Sequence, residues 1–251
     1  MDLGIAGKTA LVVGASRGIG RAIARSLAAE GAQVALAARN REALEALREE
    51  LGGRSLVLEA DVRDPAIWPS IREQIGAAFG PVDILIYAAA APDRPARLPS
   101  IQTAHWEEVM ATDLTGFWRC AAAFLPGMAQ QGWGRVVALG SLMGALGGFS
   151  EGAYAAAKAG LGGVVKTIAQ EYARMGVTAN LVVPGRIETE RTAGVSERAQ
   201  EAMRKAIPLR REGTPDEVAA VVTFLASIQA SYVTGAEIPV TGGRELGLLS
   251  L

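Results

Sequence analysis

Tyr154 and Lys158 stand four residues apart in the run Tyr154-Ala155-Ala156-Ala157-Lys158. Alanines favour helix, and on a helix that spacing puts both side chains on one face. The chain holds only four tyrosines and four lysines, so chance rarely supplies such a pair. A phenol is a poor acid or base at neutral pH. A cation about 4 Å away favours its ionised form by about 4 kcal/mol at an effective dielectric of about 20, which would make Tyr154 a usable proton carrier. Ser141 ends the preceding apolar run and would donate a hydrogen bond to an oxygen on which charge develops. This chemistry needs neither a metal nor a histidine. The bland alternative, a half-buried helix tyrosine beside a surface lysine, loses ground once a glycine turn near the N-terminus is added.

The positioning elements follow from the order of apolar runs. Residues 9–13 form a short β-favouring run ending in glycines, after which Ile19, Ile23 and Leu27 recur at helical spacing. Further strands are expected at 33–38, 55–60, 82–87, 135–140, 178–183 and 237–240. Helices are expected at 41–51, after Asp64-Pro65 with Asp64 as the cap, at 106–130, at 153–175 and at 215–227. Strands alternating with helices imply crossovers, hence an α/β fold: a doubly wound, Rossmann-like parallel sheet with helices on both faces. With no linker or repeat, residues 1–251 are expected to form one domain. Such sheets bind ligands beyond the carboxyl ends of their strands, where Ser141 already lies.

The first strand is followed by Gly14-Ala15-Ser16-Arg17-Gly18-Ile19-Gly20. Glycines between a strand and a helix let the backbone turn tightly and approach a pyrophosphate, with the helix N-terminus favouring the anion. The spacing differs from the G-x-G-x-x-G fingerprint, so strand-to-helix context carries the reading. At the end of the second strand, where an NAD site places a carboxylate for the ribose hydroxyl, this chain has Ala38-Arg39-Asn40. Arg39, helped by Arg17, would grip a 2′-phosphate instead, so NADP(H) is the expected cofactor.

Composition excludes several classes. Twenty-five basic against twenty-six acidic residues leave no surplus positive charge for a sequence-independent nucleic-acid binder. No apolar run approaches a membrane span. Cys120 with His105 is too small a set for a structural zinc site, and a lone cysteine with no secretory pattern at the N-terminus points to the cytoplasm. His105 is read as a surface or packing residue and Cys120 as a small buried hydrophobe.

Taken together these motifs resemble the short-chain dehydrogenase/reductase family over almost the whole chain, from Gly7-Lys8 to Gly242-Gly243. The resemblance implies a catalytic set of Ser141, Tyr154, Lys158 and Asp113. It implies cofactor contacts from Gly14, Ser16, Arg17, Gly18, Ile19 and Gly20, from Arg39, and from Asp61 and Val62 at the adenine end. It adds Ala88 and Ala90, Tyr154 and Lys158, and Pro184, Gly185, Ile187 and Thr189 around the nicotinamide. Leu125-Pro126-Gly127-Met128, residues 154–160 and Tyr232-Val233-Thr234-Gly235 are similar to bacterial β-ketoacyl-carrier-protein reductases, implying a homotetramer that reduces a 3-oxoacyl thioester or a related small ketone.

Two departures stand out. Tyr87-Ala88-Ala89-Ala90 replaces the family's Asn-Asn-Ala-Gly, losing amides that brace the sheet, and Asp113 replaces the asparagine of the family's Asn-Leu-Thr-Gly element. Asp113 keeps an acceptor and loses a donor. Two alternatives therefore accompany the reductase: an NAD(H)-linked dehydrogenase of a polyol or secondary alcohol, and a catalytically weak dinucleotide-binding subunit. Residues 188–211 are expected to act as a lid, or otherwise as a static surface helix. Met143, Phe149 and Met203 are candidate pocket residues, and Arg210 and Arg211 candidates for a carrier's phosphate.

Overall fold

The structure, a computed structural model, describes residues 2–92, 94–190, 192 and 197–247. Seven strands, β1 (Thr9–Val13), β2 (Gln33–Ala38), β3 (Leu56–Glu59), β4 (Ile84–Tyr87), β5 (Gly134–Leu139), β6 (Val177–Pro184) and β7 (Glu237–Val240), form one sheet. Their order is β3-β2-β1-β4-β5-β6-β7 and every pairing is parallel. The winding reverses between β1 and β4, the kind of switch point at which such sheets open a crevice for a ligand.

Central strands are mostly apolar because helices cover both faces, with Thr9, Arg135 and Asn180 among the buried exceptions. The period of two is visible within β1: Leu11 and Val13 pack on one face, Ala10 and Val12 on the other. The first face is covered by α3 (Ile67–Phe79), α5 (Gly116–Gln131) and α7 (Gly152–Tyr172), through Trp68, Ile75, Phe117, Phe124, Leu161 and Val165. The second is covered by α1 (Gly18–Ala29), α2 (Arg41–Glu50) and α9 (Pro215–Leu225), through Ile23, Leu27, Leu44, Leu47, Val218 and Val222. Three further helices, α4 (Thr103–Val109), α6 (Leu142–Leu146) and α8 (Glu197–Lys205), lie in the connections near the carboxyl ends of β4, β5 and β6.

Local chemistry sets the boundaries. Asn40 caps α2 by accepting the Ala43 N–H at 3.0 Å, and Thr214 and Glu217 form a reciprocal capping box on α9. Asp64 differs from expectation: its carboxylate accepts the Ala66 N–H at 2.8 Å, closing a turn ahead of α3, whose cap position is Ala66. The helix expected over 106–130 is also not continuous. A π-helical turn, Met110–Thr115, separates α4 from α5. Buried positions Val109, Asp113, Phe117, Cys120 and Phe124 keep three-to-four-residue spacing across it, so periodicity does not reveal it.

Candidate active site

Gly14 follows β1 with φ +90, and a Cβ there would stand 2.6 Å from the Ala89 nitrogen. The same atom on Gly20 would collide with the Gly14 carbonyl oxygen and lie 3.4 Å from the Ala88 Cβ. Both glycines are thus required for the turn to nest against the end of β4. Gly18 is different: at φ +53 a Cβ there would meet no backbone but would touch Thr189 Cγ2 at 3.4 Å and Glu190 Oε2 at 3.7 Å, so the segment after β6 lies against this side of the turn. Ser16 is partly buried and Arg17 exposed at the mouth of α1, Ile19 packs against the second core face, and no acidic residue occupies the helix's first turn.

Arg39, beyond β2, is exposed, and no carboxylate lies within ion-pair distance of it among the described residues. Beyond β3, Asp61 is gripped by Arg63 at 2.5 Å, and that hydrogen bond holds its carboxyl below the usual range against the opposing effect of burial. An adenine contact at Asp61 would therefore share the carboxylate with a guanidinium. Val62 is buried against Gly116. The N-terminus of α1, with no acidic residue in its first turn, and two exposed arginines that have no ion-pair partner among the described residues form a donor set that fits a phosphorylated dinucleotide, with Glu190 the carboxylate near Gly18.

Pro184 ends β6 and Gly185 follows it, where a Cβ would lie 2.8 Å from Thr241 Cα. Ile187 is buried, and Thr189 turns back through its N–H to Thr192 Oγ1 at 3.0 Å. The base of the excursion that begins here is pinched shut. Ile187 bridges Gly213, the Glu188 N–H reaches the Gly213 oxygen at 2.9 Å, and Arg186 pairs with Glu212 at 2.7 Å.

At the other end of the crevice, Ser141 leaves β5 in extended conformation and caps α6, its Oγ accepting the Met143 N–H at 3.2 Å. That hydrogen bond uses an oxygen lone pair and leaves the hydroxyl proton available. Tyr154 is half-buried in the first turn of α7, and the Lys158 Nζ lies 5.6 Å from its ring centroid. Lys158 itself is buried. Its Nζ donates to the Leu139 oxygen at 2.9 Å and meets Asp113 Oδ2 at 3.4 Å. Gly144 lets α6 approach this stretch of α7, since a Cβ would stand 2.8 Å from the Lys158 carbonyl carbon.

Asp113 is fully buried in the π-helical turn. Its Oδ1 accepts the Ala91 N–H at 2.7 Å, which ties the Ala88-to-Ala90 segment to Lys158. The lost amides are replaced by another brace: Tyr87, buried at the end of β4, donates its hydroxyl to the Thr112 carbonyl at 2.5 Å. Gly116 makes room, because a Cβ there would collide with that hydroxyl. Sequence reasoning marked Tyr87 as a departure without finding this role. Its only signal was a large polar aromatic closing an apolar strand.

Other candidates resolve differently. Phe149 is exposed with Arg97 5.3 Å from its ring centroid, Met143 packs against the core, and Met203 lies on α8. Arg211 is taken by Glu217 at 2.6 and 2.8 Å, and Arg210 donates to the Lys205 carbonyl, so both have partners within the chain. Burial pushes the Cys120 thiol well up, in keeping with a packing role. Among the described residues no cluster suited to a metal ion occurs, and no helix is long and apolar enough to cross a membrane.

Comparison with known proteins agrees with this geometry. A family model described as enoyl-(acyl carrier protein) reductase matches residues 14–245. The 3-oxoacyl-acyl-carrier-protein reductase of Escherichia coli is 41% identical over 237 residues, spanning 94% of this chain and 97% of its own. The enzyme of the same name from Pseudomonas aeruginosa is 39% identical over 248 residues, spanning 96% and 98%. A Sinorhizobium meliloti structure assigned as a short-chain alcohol dehydrogenase superposes with a TM-score of 0.93 at 36% identity, covering 99% of this chain and all of that one. The parallel sheet, the glycine turn at its switch point and these relatives together place the chain in the short-chain dehydrogenase/reductase family of oxidoreductases.

Proposed function

We propose that this protein is an NADP(H)-dependent carbonyl reductase that reduces a 3-oxoacyl thioester or a related small ketone. The reading is supported by Lys158 Nζ lying 5.6 Å from the Tyr154 ring and donating to the carbonyl of Leu139, two residues before Ser141, with Arg17 and Arg39 having no ion-pair partner among the described residues. NADP(H), when bound, supplies the hydride. Gly18 and the N-terminus of α1 would receive its pyrophosphate, Arg17 and Arg39 its 2′-phosphate, Asp61 and Val62 its adenine end, and Ala88, Ala90 and Pro184 to Thr189 its nicotinamide end.

The chain's own groups handle the proton. Tyr154 gives its hydroxyl proton to the substrate oxygen, Ser141 donates a hydrogen bond to the same oxygen, and the Lys158 ammonium stabilises the phenolate left behind. The matching family model is described by reduction of an enoyl group, the relatives by reduction of a 3-oxo group. Two hydroxyl donors at one site favour the second, since both serve an oxygen that becomes an alcohol. The same reading makes residues 1–251 one domain, assembled as a homotetramer in the cytoplasm, with the relatives' carrier-borne thioesters as the substrate class.

The test is NADPH and NADH oxidation by purified protein against acetoacetyl thioesters, diketones and sugar ketones. Turnover of a 3-oxo compound with a preference for NADPH is expected. NADH-linked turnover restricted to sugar ketones would overturn the reading in favour of a polyol dehydrogenase.

A further inference from the structure

Asp113 and Lys158 form a pair that the catalytic scheme above does not use. The Asp113 side chain is 0% exposed and that of Lys158 3%, with Oδ2 and Nζ 3.4 Å apart. Oδ1 is satisfied by the Ala91 N–H, whereas Oδ2 makes no hydrogen bond, so the charge of Lys158 is its main compensation. A buried carboxylate without a cation is strongly unfavourable. The turn that presents it is built for the purpose: the π-helical stretch Met110–Thr115 aims Asp113 inward, and Tyr87 holds the Thr112 carbonyl of the same turn.

Among the described residues no other charge competes for Lys158. Of the elements packed against α7, β6 and α6 bring no titratable group, and α4 brings His105, Glu107 and Glu108, the last paired with Arg94 at 3.1 Å. The helix α5 brings Arg119 and the buried Cys120, the 3₁₀ turn after α7 brings Arg174, and Glu151 stands just ahead of α7. Among the described residues, Asp113 alone comes within ion-pair distance of Lys158.

We propose that Asp113 is a positioning residue that holds Lys158 in a buried ion pair and offsets its charge, keeping Tyr154 in its hydroxyl form and the site set for reduction. This rests on the function proposed above. In reduction the carbonyl carbon receives the hydride, the carbonyl oxygen receives the Tyr154 proton, and the phenolate is reprotonated from solvent. Oxidation of the alcohol needs the phenolate first, as the base. An isolated Lys158 ammonium would favour that phenolate, and a carboxylate beside the ammonium weakens the effect.

The proposal is tested by following tyrosinate absorbance against pH in the protein and in Asp113→Asn, each with Tyr154→Phe added to subtract the other three tyrosines. Asp113→Asn should bring the Tyr154 signal in at a pH lower by about one unit, the effect of removing one nearby negative charge. Superimposable titrations would overturn the proposal. A second measurement needs neither turnover nor that titration. Lys158→Met should lower the melting temperature by on the order of 10 °C, and Asp113→Asn added to it should restore most of the loss. Simple additivity of the two changes would sink the ion pair. If no ketone is turned over with either cofactor, the proposed function falls, while both measurements still decide the role of Asp113.

Discussion

Asp61 and Asp113 both stand beside a cation, and almost everything else about them differs. Asp61 is paired with Arg63, two residues along the chain, with more than a third of its side chain in solvent. Asp113 is paired with Lys158, 45 positions away, with none of its surface in solvent. A solvated pair of the first kind contributes about 0–1 kcal/mol, because water screens the attraction and competes for it. Breaking a pair of the second kind costs about 3–5 kcal/mol, since the surviving charge is left stranded. The glycine-turn end of the crevice thus relies on backbone turns and exposed charges, the end beyond β5 on buried ones.

Four substitutions break or sharpen that contrast. Tyr154→Phe should lower kcat by about 10²- to 10⁴-fold while dinucleotide binding, followed by fluorescence quenching, stays near wild type. Unaltered turnover would remove the hydroxyl from the mechanism. Asp113→Ala should cost about 3–5 kcal/mol in urea denaturation, and a loss under 1 kcal/mol would show the pair to be solvated after all. Arg39→Asp should reverse cofactor preference, changing the NADPH-to-NADH ratio of kcat/KM by at least about tenfold, the value of one charged hydrogen bond. The exposed end should hardly register the last change, Arg63→Ala, at under about 1 kcal/mol.

That last variant has a pH signature. The Arg63 hydrogen bond lowers the folded carboxyl of Asp61, so its contribution is present above the unfolded value of about 3.9 and is lost as pH falls through the lowered folded one. Arg63→Ala should therefore lower stability slightly near neutrality, by under about 1 kcal/mol, and the two stability curves should converge as pH falls through the lowered Asp61 value. Glu217 behaves alike, held at about 2 by the Arg211 hydrogen bond, and Glu217→Gln should act in the same direction.

Legibility followed the same division. The glycine turn, Arg39 and the Tyr154–Lys158 spacing are local, so residue type and separation were enough to nominate them. β7 lies at Glu237–Val240, where its apolar run predicted it, and β2 likewise at Gln33–Ala38. The partners of the buried charges were not readable, because Ala91, Asp113, Leu139 and Lys158 meet only once β5 has paired with β4 and α7 has packed against the π-helical turn. The π-helical turn escaped for another reason: it alters hydrogen bonding without disturbing the apolar pattern. Asp64 shows the limit of capping rules, since a carboxylate before a helix can close a separate turn upstream of the cap.

The pinch between Ile187 and Gly213 makes the segment it encloses an exchangeable cassette. With both ends already clasped, the closure entropy of what lies between grows only by about 0.6 kcal/mol for each doubling of its length. Changes of length there should strain β6 and α9 little so long as Ile207 stays buried and the Leu209 N–H keeps the Gly242 carbonyl. A lineage built on this fold can vary that segment while leaving its sheet and the buried Asp113–Lys158 pair alone.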